Sequence, residues 1–144
     1  MATGYLSPVL TPGRLKIKVN RIIKTVKQQK NLKFDAIACR GLSGFLITPP
    51  VAILLKKKII AIRKNKHNCH SDCVVEFTGT TKRYIIIDDR ICTGKTLDIT
   101  QRMIRKHVSD RAQCVGIYIY DYFRSVKGVR WSVNSEYEIP IFYI

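Results

Sequence analysis

The sequence predicts an α/β domain with a mostly parallel central sheet flanked by helices. Apolar runs alternate with helical patterns in the order helix, strand, helix, strand, hairpin, helix, strand. Tyr84-Ile85-Ile86-Ile87 is apolar at every position, as suits a strand buried on both faces. The chain has 144 residues, enough to bury one core without disulfide or metal staples. A single domain is therefore expected over 1–144.

Each element has its own warrant. Residues 1–13 hold Gly4, Pro8, Pro12 and Gly13 and read as an extended arm. From Arg14 to Lys30, Leu15, Val19, Ile22, Ile23 and Val26 fall on one helical face with basic residues between them. Phe34 to Ala38 is a short apolar strand that ends in the Gly-containing turn from Cys39 to Gly44. Ser43 to Leu55 reads as a helix, with Pro49 and Pro50 near its first turns or kinking it. Lys56-Lys57-Lys58 leads into a strand from Ile59 to Ile62, and Arg63 to Cys73 is polar and irregular. Val74 to Phe77 and Arg83 to Ile87 are strands, Asp88 to Gly94 a loop and Lys95 to His107 a helix. Cys114 to Tyr120 is a further strand, and Glu136 to Ile144 a short final one. The longest apolar stretch, Phe45 to Leu55, is too short and too proline-broken to cross a bilayer, so no membrane is expected.

Composition narrows the function. Apolar residues are 46% and charged residues 25%, which is globular rather than disordered. Lys and Arg total 26 against 10 Asp and Glu, a net charge of +16. That imbalance points to polyanionic partners, whether phosphorylated substrates, nucleic acid or an acidic surface, without choosing among them. Five irregularly spaced cysteines and no signal-peptide pattern suit a reducing, cytoplasmic setting.

The most informative segment runs from Tyr84 to Leu97. A buried strand delivers Asp88 and Asp89 to its C-terminal edge, where open α/β sheets bind ligands. Thr93, Gly94 and Thr96 then open a helix whose first N–H groups form a phosphate cradle. Two acids beside such a cradle suit a ribose 5-phosphate, with or without a metal ion. A Walker P-loop is disfavoured. It needs Gly five positions before the Gly of Gly-Lys-Thr, and here that position is Asp89. An ordinary strand-to-helix turn with an acidic edge remains the plain alternative.

This segment resembles the phosphoribosyl pyrophosphate (PRPP) motif of type I phosphoribosyltransferases: four apolar residues, two acids, spacers, then Thr-Gly-x-Thr. Two further segments agree in order. Asp35 to Gly44 is similar to that family's strand and pyrophosphate loop, and Pro49-Pro50-Val51-Ala52 resembles adenine phosphoribosyltransferases. Ile60-Ala61-Ile62-Arg63-Lys64 is like the strand end before the family's mobile catalytic loop. Short phage-type members look similar too, including His70-Ser71 and Val75-Glu76.

The resemblance implies a core over 34–120, with a short mobile loop and a reduced hood from 1–30 and 121–144. It implies transfer of a phosphoribosyl group from PRPP to a nucleobase, purine favoured, with Mg²⁺ as cofactor and a homodimer expected. The alternative is a non-catalytic PRPP or nucleotide-binding regulator with a nucleic-acid-binding surface. Asp88 and Asp89 would hold the ribose hydroxyls and the metal. Cys92, Thr93, Gly94, Lys95 and Thr96 would hold the 5-phosphate. Arg40 and Gly41 would supply the pyrophosphate loop, where the family often has a cis peptide. Arg63, Lys64 and His70 would meet the leaving pyrophosphate. Lys95 stands where the family often has Gly, and Arg90 follows the acids where apolar residues are common.

His67, Cys69, His70 and Cys73 form a compressed H-x-C-H-x-x-C cluster, which reads as zinc ligands, as mobile-loop residues or as a plain polar loop. The excess charge reads as steering of an anionic substrate, favoured here, or as nucleic-acid binding. Tyr118, Tyr120, Tyr122, Phe123 and Trp131 offer rings on which bases could stack, but Tyr118 and Tyr120 share one strand face and read rather as core.

Overall fold

A computed structural model describes residues 4, 6–64, 73–121, 131–133 and 137–144. Its six-stranded sheet is built from β1 (Ala36–Arg40), β2 (Lys58–Ile62), β3 (Val75–Glu76), β4 (Arg83–Asp88), β5 (Gln113–Ile119) and β8 (Ile141–Tyr143). Their spatial order is β3-β2-β1-β4-β5-β8. β3 runs antiparallel to β2, and every other pairing in this sheet is parallel. A separate two-stranded ribbon pairs β6 (Trp131–Val133) with β7 (Tyr137–Ile139).

Three helices cover the sheet: α1 (Pro12–Gln28), α2 (Gly41–Leu55) and α3 (Lys95–His107). The period-2 pattern of the strands sorts their side chains between two layers. Ile37, Ile85, Ile87, Tyr118 and Tyr120 pack under α1 and α2. Ala38, Ile86, Ile117 and Ile119 pack under α3 with Leu97 and Ile104. Both faces are covered, which is why Tyr84 to Ile87 needs an apolar residue at every position. Tyr118 and Tyr120 are core, and the Tyr118 ring stacks on Phe142 at 4.7 Å.

The chain leaves β1 for β2 on one side and reaches β4 on the other. β1 and β4 therefore flank the switch point, and the crevice outside their C-terminal ends is where ligands bind in such sheets.

Several details depart from the sequence expectations. The first residues are not simply extended: Ser7–Val9 forms a 3₁₀ turn, because Val9 is buried against the α1 layer. α1 starts at Pro12 rather than Arg14. Thr11 caps it by accepting from the Arg14 N–H (3.4 Å), and proline is favourable at the first helical position. α2 starts at Gly41, with no turn between it and β1, so Pro49 and Pro50 lie in its second half. Its buried side is formed by Ser43, Gly44, Ile47, Thr48, Val51 and Ala52. The tail forms two strands around Pro140, which has no N–H to donate and whose carbonyl accepts from Ile117 N (3.0 Å). The strand Trp131–Val133 carried no clear signal in the sequence. Among the described residues every peptide bond is trans, including Arg40–Gly41.

Candidate functional site

The site begins with a close approach. β1 ends at Arg40 and the backbone turns straight into α2 through Gly41 at φ +71°. That conformation costs an L-residue roughly 1–2 kcal/mol. Space is the second constraint, since a Cβ on Gly41 would collide with Lys64 Cε and lie 2.9 Å from its Cδ. The glycine thus lets Lys64, just past β2, cross the end of β1. Gly44 is confined in the same way, by Cys39 Cβ at 2.9 Å and the Ile87 carbonyl at 3.0 Å. α2 therefore sits tightly on β1 and β4.

β4 carries Asp88 and Asp89 to the switch point, with 5% and 7% of their surfaces exposed. Carboxylates are rarely that buried without partners. Asp88 Oδ1 accepts from Asp89 N (2.8 Å) and from Ser43 Oγ (3.3 Å). Tyr120 OH donates to the Ser43 carbonyl (2.7 Å), so β5 holds α2 and α2 holds Asp88. Burial is the largest influence on Asp88 and pushes its pKa up, to about 7. The adjacent Asp89 carboxyl raises it further, while the Asp89 N–H and the Lys64 ammonium oppose the rise.

After the acids the chain forms a loop and enters α3 through Gly94, which takes φ +77° at the helix N-cap. Thr93 Oγ1 accepts from the Lys95 N–H (3.4 Å) and Thr100 Oγ1 donates to the Thr96 carbonyl (2.7 Å). The residues of this first turn line a cavity of about 390 Å³. That cavity brings together Asp88, Asp89, Cys92, Thr93, Gly94, Lys95 and Thr96 from the sequence expectations, and Lys64 from across the switch point. Ser43, Arg90, Ile91 and Leu97 complete its lining. Lys95 and Arg90 are both exposed.

The other expected residues are placed differently. Arg63 does not line the cavity: just past β2, opposite Val74, it pairs diagonally with Glu76 of β3, whose direct partner is Ala61. Arg40 sits at the β1 end with its Nε buried and without a hydrogen-bond partner among the described residues. His70 lies outside the described residues, as do His67 and Cys69 of the possible zinc cluster. Cys73 is described and exposed. Residues 122–130 and 134–136 of the expected hood also lie outside the described residues. Cys39 is fully buried and burial pushes its thiol up to about 11, so it packs rather than reacts.

Sequence reasoning missed Ser43, Tyr120 and Glu76. Ser43 carries a faint signal, a hydroxyl within the segment that resembles the pyrophosphate loop. Tyr120 reads as core or as a stacking ring, and Glu76 as part of a short strand and of the Val75-Glu76 pair similar to phage-type members, neither with the contact seen here.

The fold is shared with known structures. The chain aligns with adenine phosphoribosyltransferase from Saccharomyces cerevisiae at 19% identity and TM-score 0.68, over 94% of this chain and 82% of that one. With orotate phosphoribosyltransferase from Francisella tularensis the identity is 13% and the TM-score 0.68, over 96% and 69%. With Leishmania donovani UMP synthase the identity is 20% and the TM-score 0.62, over 78% of this chain and only 23% of that longer one. No protein-family profile matches the sequence, and no curated protein does. The chain has the type I phosphoribosyltransferase fold.

Proposed function

We propose that the chain is a phosphoribosyltransferase, moving the 5-phosphoribosyl group of PRPP to a nucleobase, a purine in preference, with release of pyrophosphate. One observation carries this reading: two buried acids, a backbone phosphate cradle and Lys64 converge on a single cavity at the switch point. The aligned yeast enzyme was solved with adenine and a sugar bisphosphate analogue, which supports the same ligand chemistry here.

In the proposed reaction the C1–O bond to pyrophosphate breaks, and its electron pair leaves with the pyrophosphate oxygen. A lone pair of the base nitrogen closes on C1, and the N–H proton of the base is released. Positive charge develops on the sugar between these events, as in glycoside transfer. Asp88 and Asp89 lie where negative charge stabilises it, held in a desolvated setting that strengthens the interaction. Their second role is to accept from the ribose hydroxyls. The N–H groups from Thr93 to Thr96 bind the 5-phosphate, aided by the start of α3. Lys64 balances charge on the departing pyrophosphate. The Arg40 Nε is a buried donor in need of an acceptor, and pyrophosphate oxygen supplies one.

Two adjacent carboxylates offer hard oxygen donors, and no larger cluster of His, Cys, Asp and Glu forms among the described residues. That set fits Mg²⁺ held by Asp88 and Asp89 together with substrate oxygens and water. The ion would neutralise the pyrophosphate as it leaves.

The deciding experiment measures pyrophosphate release from PRPP and Mg²⁺ with a pool of purine and pyrimidine bases. Base-dependent release is expected, abolished by Asp88→Asn with Asp89→Asn. Turnover unaffected by that pair would overturn the site, and absence of release with every base would overturn the activity.

A further inference from the structure

The net charge of +16 is far more than the cavity uses, and the fold shows where the rest lies. Parallel strands collect their first residues at one edge of the sheet, opposite the cavity. β2 opens on Lys58, preceded by Lys56 and Lys57. β4 opens on Arg83, preceded by Lys82, and Arg111 stands just before β5. α1 returns to this same edge, ending past Lys27, and the chain enters β1 through Lys30 and Lys33. Nine basic residues thus meet at this pole, against three described acids, Asp35, Asp110 and Glu138, the last beside the start of β8. Asp35 is already committed: its Oδ2 accepts from Lys82 N (2.8 Å) and Arg83 N (3.1 Å). Lys57 is half-buried and donates to the Phe34 carbonyl (2.7 Å), while the other eight basic residues are exposed. The ion pairs Arg63–Glu76 and Arg102–Asp98 lie elsewhere.

The position of this charge decides between two uses. Steering of PRPP needs positive potential around the cavity, where Arg40, Lys64, Arg90 and Lys95 already offset Asp88 and Asp89. A concentration at the opposite pole does not serve that end. The register also gives it a shape. Lys58 and Arg83 begin strands on either side of β1, about 10 Å apart at the usual strand spacing, and the start of β5 lies one strand further. The row then turns along α1, which has basic residues on its outward face and no acid from end to end. A row of exposed cations along one sheet edge, continued by α1, suits an extended polyanion.

We infer that the pole opposite the cavity is a nucleic-acid-binding surface, one that engages the phosphodiester backbone through the lysines and arginines at the strand starts. Affinity at such a surface comes from counterion release, so it falls steeply with salt and depends little on base sequence. Because this surface is remote from the cavity, nucleic acid and PRPP bind together.

The test titrates the full chain into a labelled single-stranded RNA and a DNA duplex at several salt concentrations. A triple variant, Lys56→Gln with Lys82→Gln and Arg111→Gln, is compared with a charge-matched one at the cavity, Lys64→Gln with Arg90→Gln and Lys95→Gln. Removing one cation from a phosphate lowers the log–log salt slope by roughly 0.7 on a single strand, so the polar variant's slope should fall by roughly 2. The cavity variant should keep its slope, and saturating Mg²⁺–PRPP should not displace nucleic acid from the native chain. The inference fails if native protein binds neither nucleic acid at low salt, or if it binds only phosphatidylserine vesicles. It fails equally if the slope falls as far in the cavity variant as in the polar one, or if PRPP competes. The competition arm uses native protein, so it decides even if a variant misfolds. Neither arm requires turnover, which keeps this inference separable from the proposed activity.

Discussion

Replacing Gly41 with alanine should separate the two functions of that position. Its φ of +71° makes any side chain cost roughly 1–2 kcal/mol of stability. The new Cβ would also collide with Lys64 Cε and meet its Cδ at 2.9 Å. Those atoms belong to a flexible stem that can swing away, so the collision is relieved by moving Lys64 rather than by unfolding α2. Lys64 then moves away from Asp88, and the charge-assisted hydrogen bond proposed for it with pyrophosphate does not form. Such bonds are worth about 1.5–3 kcal/mol, or roughly 10- to 150-fold in affinity. Calorimetric titration with Mg²⁺–PRPP should show that weakening in Gly41→Ala, and a similar one in Lys64→Met. The double variant should be scarcely weaker than either single one, because both remove the same interaction. Urea unfolding should place Gly41→Ala within about 2 kcal/mol of the native chain. Additive effects, or native affinity in Gly41→Ala, would refute the argument that this glycine exists to let Lys64 cross.

Further predictions concern the charges and the packing. Asp88 titrates higher folded, at about 7, than its ordinary 3.8. The folded state therefore holds the extra proton between those values, and stability should fall as pH rises from about 4 to 7. Asp88→Asn should flatten that part of the pH profile in urea unfolding, while weakening PRPP binding. Asp35 behaves in the opposite sense: backbone N–H groups of Lys82 and Arg83 hold its pKa below the usual value. Its contribution is complete above about pH 4 and lost in acid, and Asp35→Ala should cost about 1 kcal/mol at neutral pH, modest because the group is exposed. Tyr120→Phe leaves the buried Ser43 carbonyl without its 2.7 Å partner and should cost about 1–2 kcal/mol by the same measurement. No change in unfolding would mean that the hydroxyl does not brace α2.

Much of this protein was legible in its sequence because local chemistry dictates it. An apolar run at every position fits only a strand covered on both faces, and Tyr84 to Ile87 is such a strand. Two acids after that strand and a Thr-Gly-Lys-Thr helix start cannot be far apart, so Asp88, Asp89 and Thr93 to Thr96 meet in one cavity by chain connectivity alone. The amphipathic period of α1 and the total charge were equally plain.

Contacts between distant segments were settled only by the tertiary structure. Arg63 and Lys64 are neighbours in sequence, but strand alternation sends one to Glu76 and the other to the cavity. Ser43 acquires its role only because Gly44 lets α2 approach closely to Cys39 and Ile87, bringing its hydroxyl to Asp88. The surplus charge became informative when parallel pairing gathered strand starts from four separate stretches of chain at one edge. Sequence determines which groups exist and their local geometry. Which of them face one another is set by burial, summed over the whole core, and no single segment carries that information.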